Sequence, residues 1–151
     1  MWYIAFFSSH TTVGTDNLNG GNNKMENEQH HSSVNDVLHH YKEGIGSFTN
    51  QIPEIAETYN AFTQACFQEG ALTKREKQLI ALGISLATQD EYCTIYHTKG
   101  CLDQGCSDKE ILEACGVSAA FAGGAAMSQG VTLVQEAIQK LGNNSSKQAF
   151  Q

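Results

Sequence analysis

Apolar residues recur at helical spacing along the middle of the chain. In the segment that begins at residue 34, the apolar positions with this spacing are Val34, Val37, Leu38, Tyr41, Ile45 and Phe48. This repeat is typical of an amphipathic helix, and no strand-like alternation competes with it. A second helix is predicted to begin at Pro53, which suits a first helical turn, and to end before Gly70. The pattern predicts an all-α fold of about six helices.

Capping signals place the later helices. Thr73 stands three residues before Glu76, the spacing of a capping box, and Ser107 with Glu110 repeats it. Asp90 suits an N-cap position, so a further helix is predicted to begin there. The predicted apolar face of the helix that follows Thr73 consists of Leu79, Ile80, Gly83, Ile84 and Ala87.

The last part of the pattern mixes small and apolar residues. A final helix is predicted over residues 126–141, with its end at Gly142. Gly123–Gly124 lies within a helical pattern, so we interpret it as allowing close helix packing. The side chains interpreted as core or subunit contacts, and not as a cofactor site, are Phe62, Phe121 and Met127.

The two ends of the chain lack this periodicity. The apolar run near the start is too short for a signal peptide or a membrane span, and the polar stretch after it is rich in Gly and Asn. We therefore predict a disordered leader over residues 1–30, one domain over 31–142 and a flexible tail over 143–151. Met25 is a candidate for the true start, because the domain-like pattern begins only after it.

Composition narrows the class of protein. A chain of 151 residues fits one domain better than two. Its formal net charge of −7 disfavours nucleic acid and anionic membranes as partners, since both attract basic surfaces. The five cysteines are an odd number and too sparse for a small secreted disulfide framework. They favour free thiols in a reducing, cytoplasmic setting.

The best candidates for chemistry are Cys93 and His97. If a helix begins at Asp90, Cys93 lies in its first turn and His97 lies one turn later on the same face. The helix N-terminus and the imidazole both favour a reactive thiolate, whereas Asp90 and Glu91 oppose it by their charge. The direction of the pKa shift of Cys93 stays open at this point. A buried core cysteine beside a packed histidine is the alternative.

The order of several segments makes the chain recognisable. The segments are LTKREKQLIALGISLA, then EYCTIYH, then GCSDKEILEACGV and AGGAA. Over about residues 41–141 the chain resembles the alkyl hydroperoxidase D-like, carboxymuconolactone decarboxylase family, and it is most similar to the short single-domain branch. The resemblance implies an all-α helical domain and a homo-oligomer, either a trimer or a hexamer. It implies a family but not one activity, because members include peroxidase-like proteins and decarboxylases.

The resemblance also assigns site residues. Peroxidase-type members carry Cys-x-x-Cys, three further residues and a His, with a relay Glu on the preceding helix. Here the second Cys and the His correspond to Cys93 and His97. The first Cys corresponds to Asp90, and the relay Glu corresponds to Gln78. The usual intrahelical disulfide and the relay carboxylate are therefore both missing.

Three functions follow from these residues. The first is a thiol-dependent oxidoreductase with peroxidase or peroxiredoxin-type antioxidant activity, in which Cys93 attacks a small-molecule hydroperoxide or a protein disulfide and His97 is the base. The second is a lyase of the carboxymuconolactone decarboxylase type. An acidic lactone substrate would need an Arg or Lys clamp, and this sequence shows no obvious one near the motif. The third is a degenerate, non-catalytic member of the family.

The positions of the other cysteines bear on a second thiol and on a metal site. Cys101 is eight residues from Cys93 on one helix, or about 12 Å, which is too far for a disulfide. Cys106, Cys115 and another subunit remain as sources of a resolving thiol. The same separation argues against zinc, so we expect no metal and no cofactor.

Overall fold

The computed structural model describes residues 33–148, with side chains as far as 142. The predicted leader over residues 1–30 lies outside this range, and so does the end of the predicted tail. The helices are α1 Val34–Gln51, α2 Pro53–Cys66, α3 Lys74–Thr88, α4 Glu91–Asp103, α5 Asp108–Ala122, α6 Gly124–Gln129 and α7 Gln135–Gln148. A π-helical turn, Gly130–Val134, joins α6 to α7. The described residues thus form six helical rods without a strand, which confirms the all-α prediction.

The predicted caps are present. At the start of α3, the Thr73 hydroxyl accepts from the Glu76 amide while the Glu76 carboxylate accepts from the Thr73 amide. Ser107 and Glu110 form the same reciprocal pair before α5. Asp90 caps α4 by accepting from the Cys93 amide at 3.0 Å. Each such cap contributes on the order of 1 kcal/mol.

Helix α4 is the central element of the core. One buried cluster joins it to α3, α5 and the α6–α7 rod, and its members are Leu82, Leu86, Cys101, Cys106, Ile111, Cys115, Ala126, Val134 and Ile138. A second cluster joins α4 to α1 and α7, and its members are Val34, Val37, Leu38, Ile95, Ala137 and Leu141. Both faces of α4 are therefore held in place, which positions its N-terminal turn firmly.

The predicted apolar face of α3 is wrong at Ile80, Ile84 and Ala87, which are exposed, whereas Leu79 packs against the core. The side chains that α3 buries are Leu82, Ser85 and Leu86, whereas Ile80 and Ile84 are 50% and 59% exposed. Apolar residues cover most of the circumference of α3, so spacing alone does not select a face. Tertiary contacts do: the Ser85 hydroxyl donates to the Leu82 carbonyl and accepts from Thr94 of α4 at 3.1 Å.

The C-terminal predictions need two corrections. Gly123 has a φ of +77°, a conformation that favours glycine, and it ends α5. A Cβ added at Gly124 would meet nothing within 4 Å, so the glycine pair separates two helices and does not bring helices together. Helix α7 continues to Gln148, past the end predicted at Gly142. Met127 and Phe121 are exposed and so lie outside the core of this chain, as does Phe62.

Within residues 33–148, no helix combines the length and apolar character needed to cross a membrane.

Candidate functional site

A cavity of about 450 Å³ lies among α1, α2, α3 and α4. This volume falls within the range of small-molecule sites, roughly 300–1,000 Å³. Its wall is formed by Tyr41, Ile45, Tyr59, Asn60, Thr63, Gln64, Phe67, Gln78, Tyr92, Cys93, Tyr96 and His97. Three of the four predicted site residues, Gln78, Cys93 and His97, therefore meet in one wall. The fourth, Asp90, lies directly behind Cys93 as the cap of α4.

Cys93 is half-buried in the first turn of α4. Burial, together with the hydrogen bond to Asp90 and the charge of Asp90, raises the pKa of its thiol to about 11. The Cys93 amide and thiol in turn lower the pKa of Asp90, which stays ionised. The pKa shift of Cys93, whose direction the sequence left open, is therefore upward, because desolvation and a neighbouring anion outweigh the effect of the helix N-terminus.

His97 is oriented by Gln78. Its Nδ1 lies 2.8 Å from Oε1 of Gln78, and an amide oxygen can only accept, so Nδ1 carries the proton. The lone pair of Nε2 is then free to act as a base. Burial lowers the pKa of His97, with the charge of Asp90 opposing the shift. The imidazole is therefore neutral at pH 7, which a general base requires.

A glycine makes room for this hydrogen bond. Gly100 of α4 faces α3, and a Cβ added there would overlap the amide group of Gln78. Helices α3 and α4 therefore pack closely here, through the Gln78 side chain. Gln78, at the position where the resemblance implies a relay Glu, orients the imidazole, but an amide cannot accept a proton.

The candidate resolving thiols lie elsewhere. Cys106 and Cys115 are buried with Cys101 in the core cluster at the C-terminal side of α4. Cys93 is at the opposite end of this helix, about 12 Å from Cys101 along the axis. Cys66 is exposed at the end of α2 and does not line the cavity. Among the described residues, no group of three His, Cys, Asp or Glu side chains could hold a metal ion.

The aromatic character of the site was not predicted from the sequence. Tyr41 of α1 and Tyr59 of α2 line the cavity together with Tyr92 and Tyr96 of α4. Burial raises the pKa of Tyr41, and the nearby Cys93, Tyr59, Tyr96 and Asp90 add to this. The spacing of Tyr92 and Tyr96 with Cys93 on one side of α4 was the available signal. Nothing in the sequence pairs α4 with the first two helices.

The fold and the site define a small all-helical protein with a thiol and an imidazole in the wall of one cavity. Residues 53–136 match the model of the carboxymuconolactone decarboxylase family, and the chain belongs to this family. The alkyl hydroperoxidase D-like proteins are a branch of it. Helix α1, with Tyr41, precedes the matched region.

Two known proteins are similar to this chain. The chain is 35% identical over 82 residues to "uncharacterized protein 4 in cox locus" from Paracoccus denitrificans, a match that covers 54% of this chain and 74% of that protein. The fold is similar to the crystal structure of a carboxymuconolactone decarboxylase family protein from Legionella pneumophila, with a TM-score of 0.69 and 23% identity. That alignment covers 72% of this chain and 96% of the other.

Proposed function

We propose that this protein is a thiol-dependent oxidoreductase that reduces small-molecule hydroperoxides, with Cys93 as nucleophile and His97 as general base. The observation that carries the proposal is that Cys93 is the one thiol lining the cavity among the described residues, and that a neutral, oriented imidazole shares its wall. The high pKa of Cys93 keeps it a thiol at neutral pH. A base must then remove its proton as the sulfur attacks.

The proposed reaction balances with this machinery. His97 takes the thiol proton, the sulfur attacks the terminal oxygen of the hydroperoxide, and the O–O bond breaks. The leaving alkoxide takes the proton from His97, so the products are an alcohol and a Cys93 sulfenic acid. One external thiol then forms a mixed disulfide with Cys93 and releases water. A second external thiol frees Cys93 and leaves as part of a disulfide.

An external thiol is required because the buried cysteines lie at the other end of α4. In a homo-oligomer, which the family resemblance implies, a cysteine of a neighbouring subunit is a further source. The lyase alternative lacks support, since the cavity wall holds no Lys or Arg to bind an acidic lactone.

A non-catalytic role is the second candidate, and the raised pKa of Cys93 favours it. The deciding experiment treats the protein with an alkyl hydroperoxide in the presence of dimedone and maps the adduct by mass spectrometry. We expect the adduct at Cys93, its loss in Cys93→Ser, and its retention in the matched control Cys66→Ser. An unmodified Cys93 under these conditions would support the non-catalytic role.

A further inference from the structure

Tyrosine is concentrated around the cavity. The chain has five tyrosines. Four lie within the described residues, and all four line this one cavity. They come from three helices, α1, α2 and α4, so the grouping is a product of tertiary structure and not of one local repeat. Their side chains are roughly half exposed, which leaves their rings open to a molecule in the cavity.

The rings form a continuous row along one side of the cavity. Phe67 stacks on His97 with ring centres 5.6 Å apart, and Tyr96 meets His97 edge-on at 5.3 Å. Tyr41 continues the row through contacts of 5.9 Å with Tyr96 and 6.0 Å with Tyr92. Such spacings are those of favourable aromatic pairs, and a further ring can join the row by the same offset or edge-on contacts.

The polar part of the wall is uncharged. It consists of amides, hydroxyls, the thiol and the neutral imidazole, and no Lys, Arg, Asp or Glu lines the cavity. The nearest anion, Asp90, accepts from the amide and thiol of Cys93 and so has its own partners. A carboxylate in the cavity would lose its hydration without gaining a cation. A cation would find rings but no carboxylate in the cavity wall.

We propose that this cavity binds an uncharged aromatic ring, which the tyrosines and Phe67 hold beside Cys93. The hydroperoxide reduced at Cys93 is then an uncharged aryl-substituted one, and this second statement rests on the proposed function. Helix α1 contributes the central ring, Tyr41, from outside the family-matched region. The binding statement stands apart from catalysis and is tested without it.

The test uses three inert probes with one benzene ring each on the full-length protein. They are 2-phenyl-2-propanol, which is neutral, 4-isopropylbenzoate, which is anionic, and benzyltrimethylammonium, which is cationic. Isothermal titration calorimetry measures each affinity. We expect the neutral probe to bind saturably and at least tenfold more tightly than either charged probe. The proposal would be overturned if the neutral probe showed no saturable binding, as when a second copy of the chain covers the rings. It would also be overturned if the cationic or the anionic probe bound most tightly.

Variants locate the site. Tyr41→Leu removes a ring and should weaken the neutral probe by about three- to tenfold. Tyr41→Phe keeps the ring and should bind within twofold of the unmodified protein. Phe121→Leu, an exposed change on α5 outside the cavity, is the matched control and should change nothing. Equal effects of Tyr41→Leu and Phe121→Leu would refute the site.

The outcomes separate the two proposals. Neutral-probe binding together with hydroperoxide turnover that survives Cys93→Ser would leave the ring site standing and remove the proposed function. Turnover that depends on Cys93 but proceeds equally with hydrogen peroxide and an aryl hydroperoxide, without probe binding, would remove the ring site alone.

Discussion

The two ends of α4 hold the same functional group in different settings. At its N-terminal end, the Cys93 thiol is half-buried, hydrogen-bonded to a carboxylate and open to a cavity. At its C-terminal end, Cys101 is fully buried among Cys106, Cys115 and aliphatic side chains. Burial raises the pKa at both ends, so a high thiol pKa does not distinguish a reactive cysteine from a structural one. Access to a cavity and a base does.

The largest expected effect comes from restoring the missing motif at the Cys93 end. The double change Gln78→Glu and Asp90→Cys supplies a relay carboxylate beside His97 and a second thiol within one turn of Cys93. We expect thiol-linked hydroperoxide turnover to rise about 10²–10⁴-fold, as is typical of a restored acid–base group. Stopped-flow or coupled turnover assays measure the rate.

One control and one contradicting outcome belong to that experiment. Adding Cys93→Ser to the double change should remove the gain. Brisk turnover by the unmodified protein, with no gain in the double variant, would mean that another cysteine already resolves Cys93 and that the external-thiol scheme is wrong.

The second prediction concerns stability and the other end of the helix. Cys101→Ala removes a fully buried side-chain atom from the core cluster and should destabilise the fold by about 1–2 kcal/mol. Cys93→Ala, the matched change in the half-buried setting, should cost about 0.5 kcal/mol or less. Urea denaturation measures both. Equal costs would show that the two ends are not structurally different.

The third prediction separates charge from burial at Cys93. Asp90→Asn keeps an N-cap side chain but removes the anion that helps to raise the Cys93 pKa. The pKa should fall below its value of about 11, and alkylation by iodoacetamide at pH 8 should speed up by about tenfold for each unit of the fall. The rate profile against pH, read by peptide mass spectrometry, gives the midpoint.

Glu91→Gln is the control for that experiment. It removes a neighbouring charge that makes no hydrogen bond to the thiol, so the midpoint should move little. The upward shift of the Cys93 pKa also makes stability depend on pH. Because this pKa is higher in the folded than in the unfolded state, the associated stability is present below about pH 8.5 and is lost as pH rises toward 11. Asp90→Asn should reduce that alkaline loss. An unchanged alkylation midpoint would assign the shift to burial alone.

Local and tertiary features of this molecule were unequally predictable. The capping pairs before α3 and α5 were predicted correctly because a cap depends on residues three positions apart. The exposed face of α3, with Ile80 and Ile84, was missed because its apolar residues surround the helix and only contacts with α4 choose among them. Cys93 and His97 were selected from their spacing on one helix, whereas the tyrosine row depends on how α1 and α2 pack over α4.

The smallest expected effect tests the hydrogen bond that orients His97. Gly100→Ala places a methyl group where the Gln78 amide now lies, and this flexible amide must move away from Nδ1 of His97. Stability should change little, because the gain in helix propensity, about 1 kcal/mol, offsets the lost hydrogen bond of similar size. Without an acceptor, the imidazole divides between two tautomers, so Cys93-dependent turnover should fall by only about twofold. Nitrogen NMR of His97 reports the tautomers directly.

Gln78→Ala removes the same acceptor and should have the same effect on turnover and tautomer. Adding Gly100→Ala to Gln78→Ala should then change neither of them. A further loss in that double variant would show that Gly100 supports the site through contacts other than Gln78.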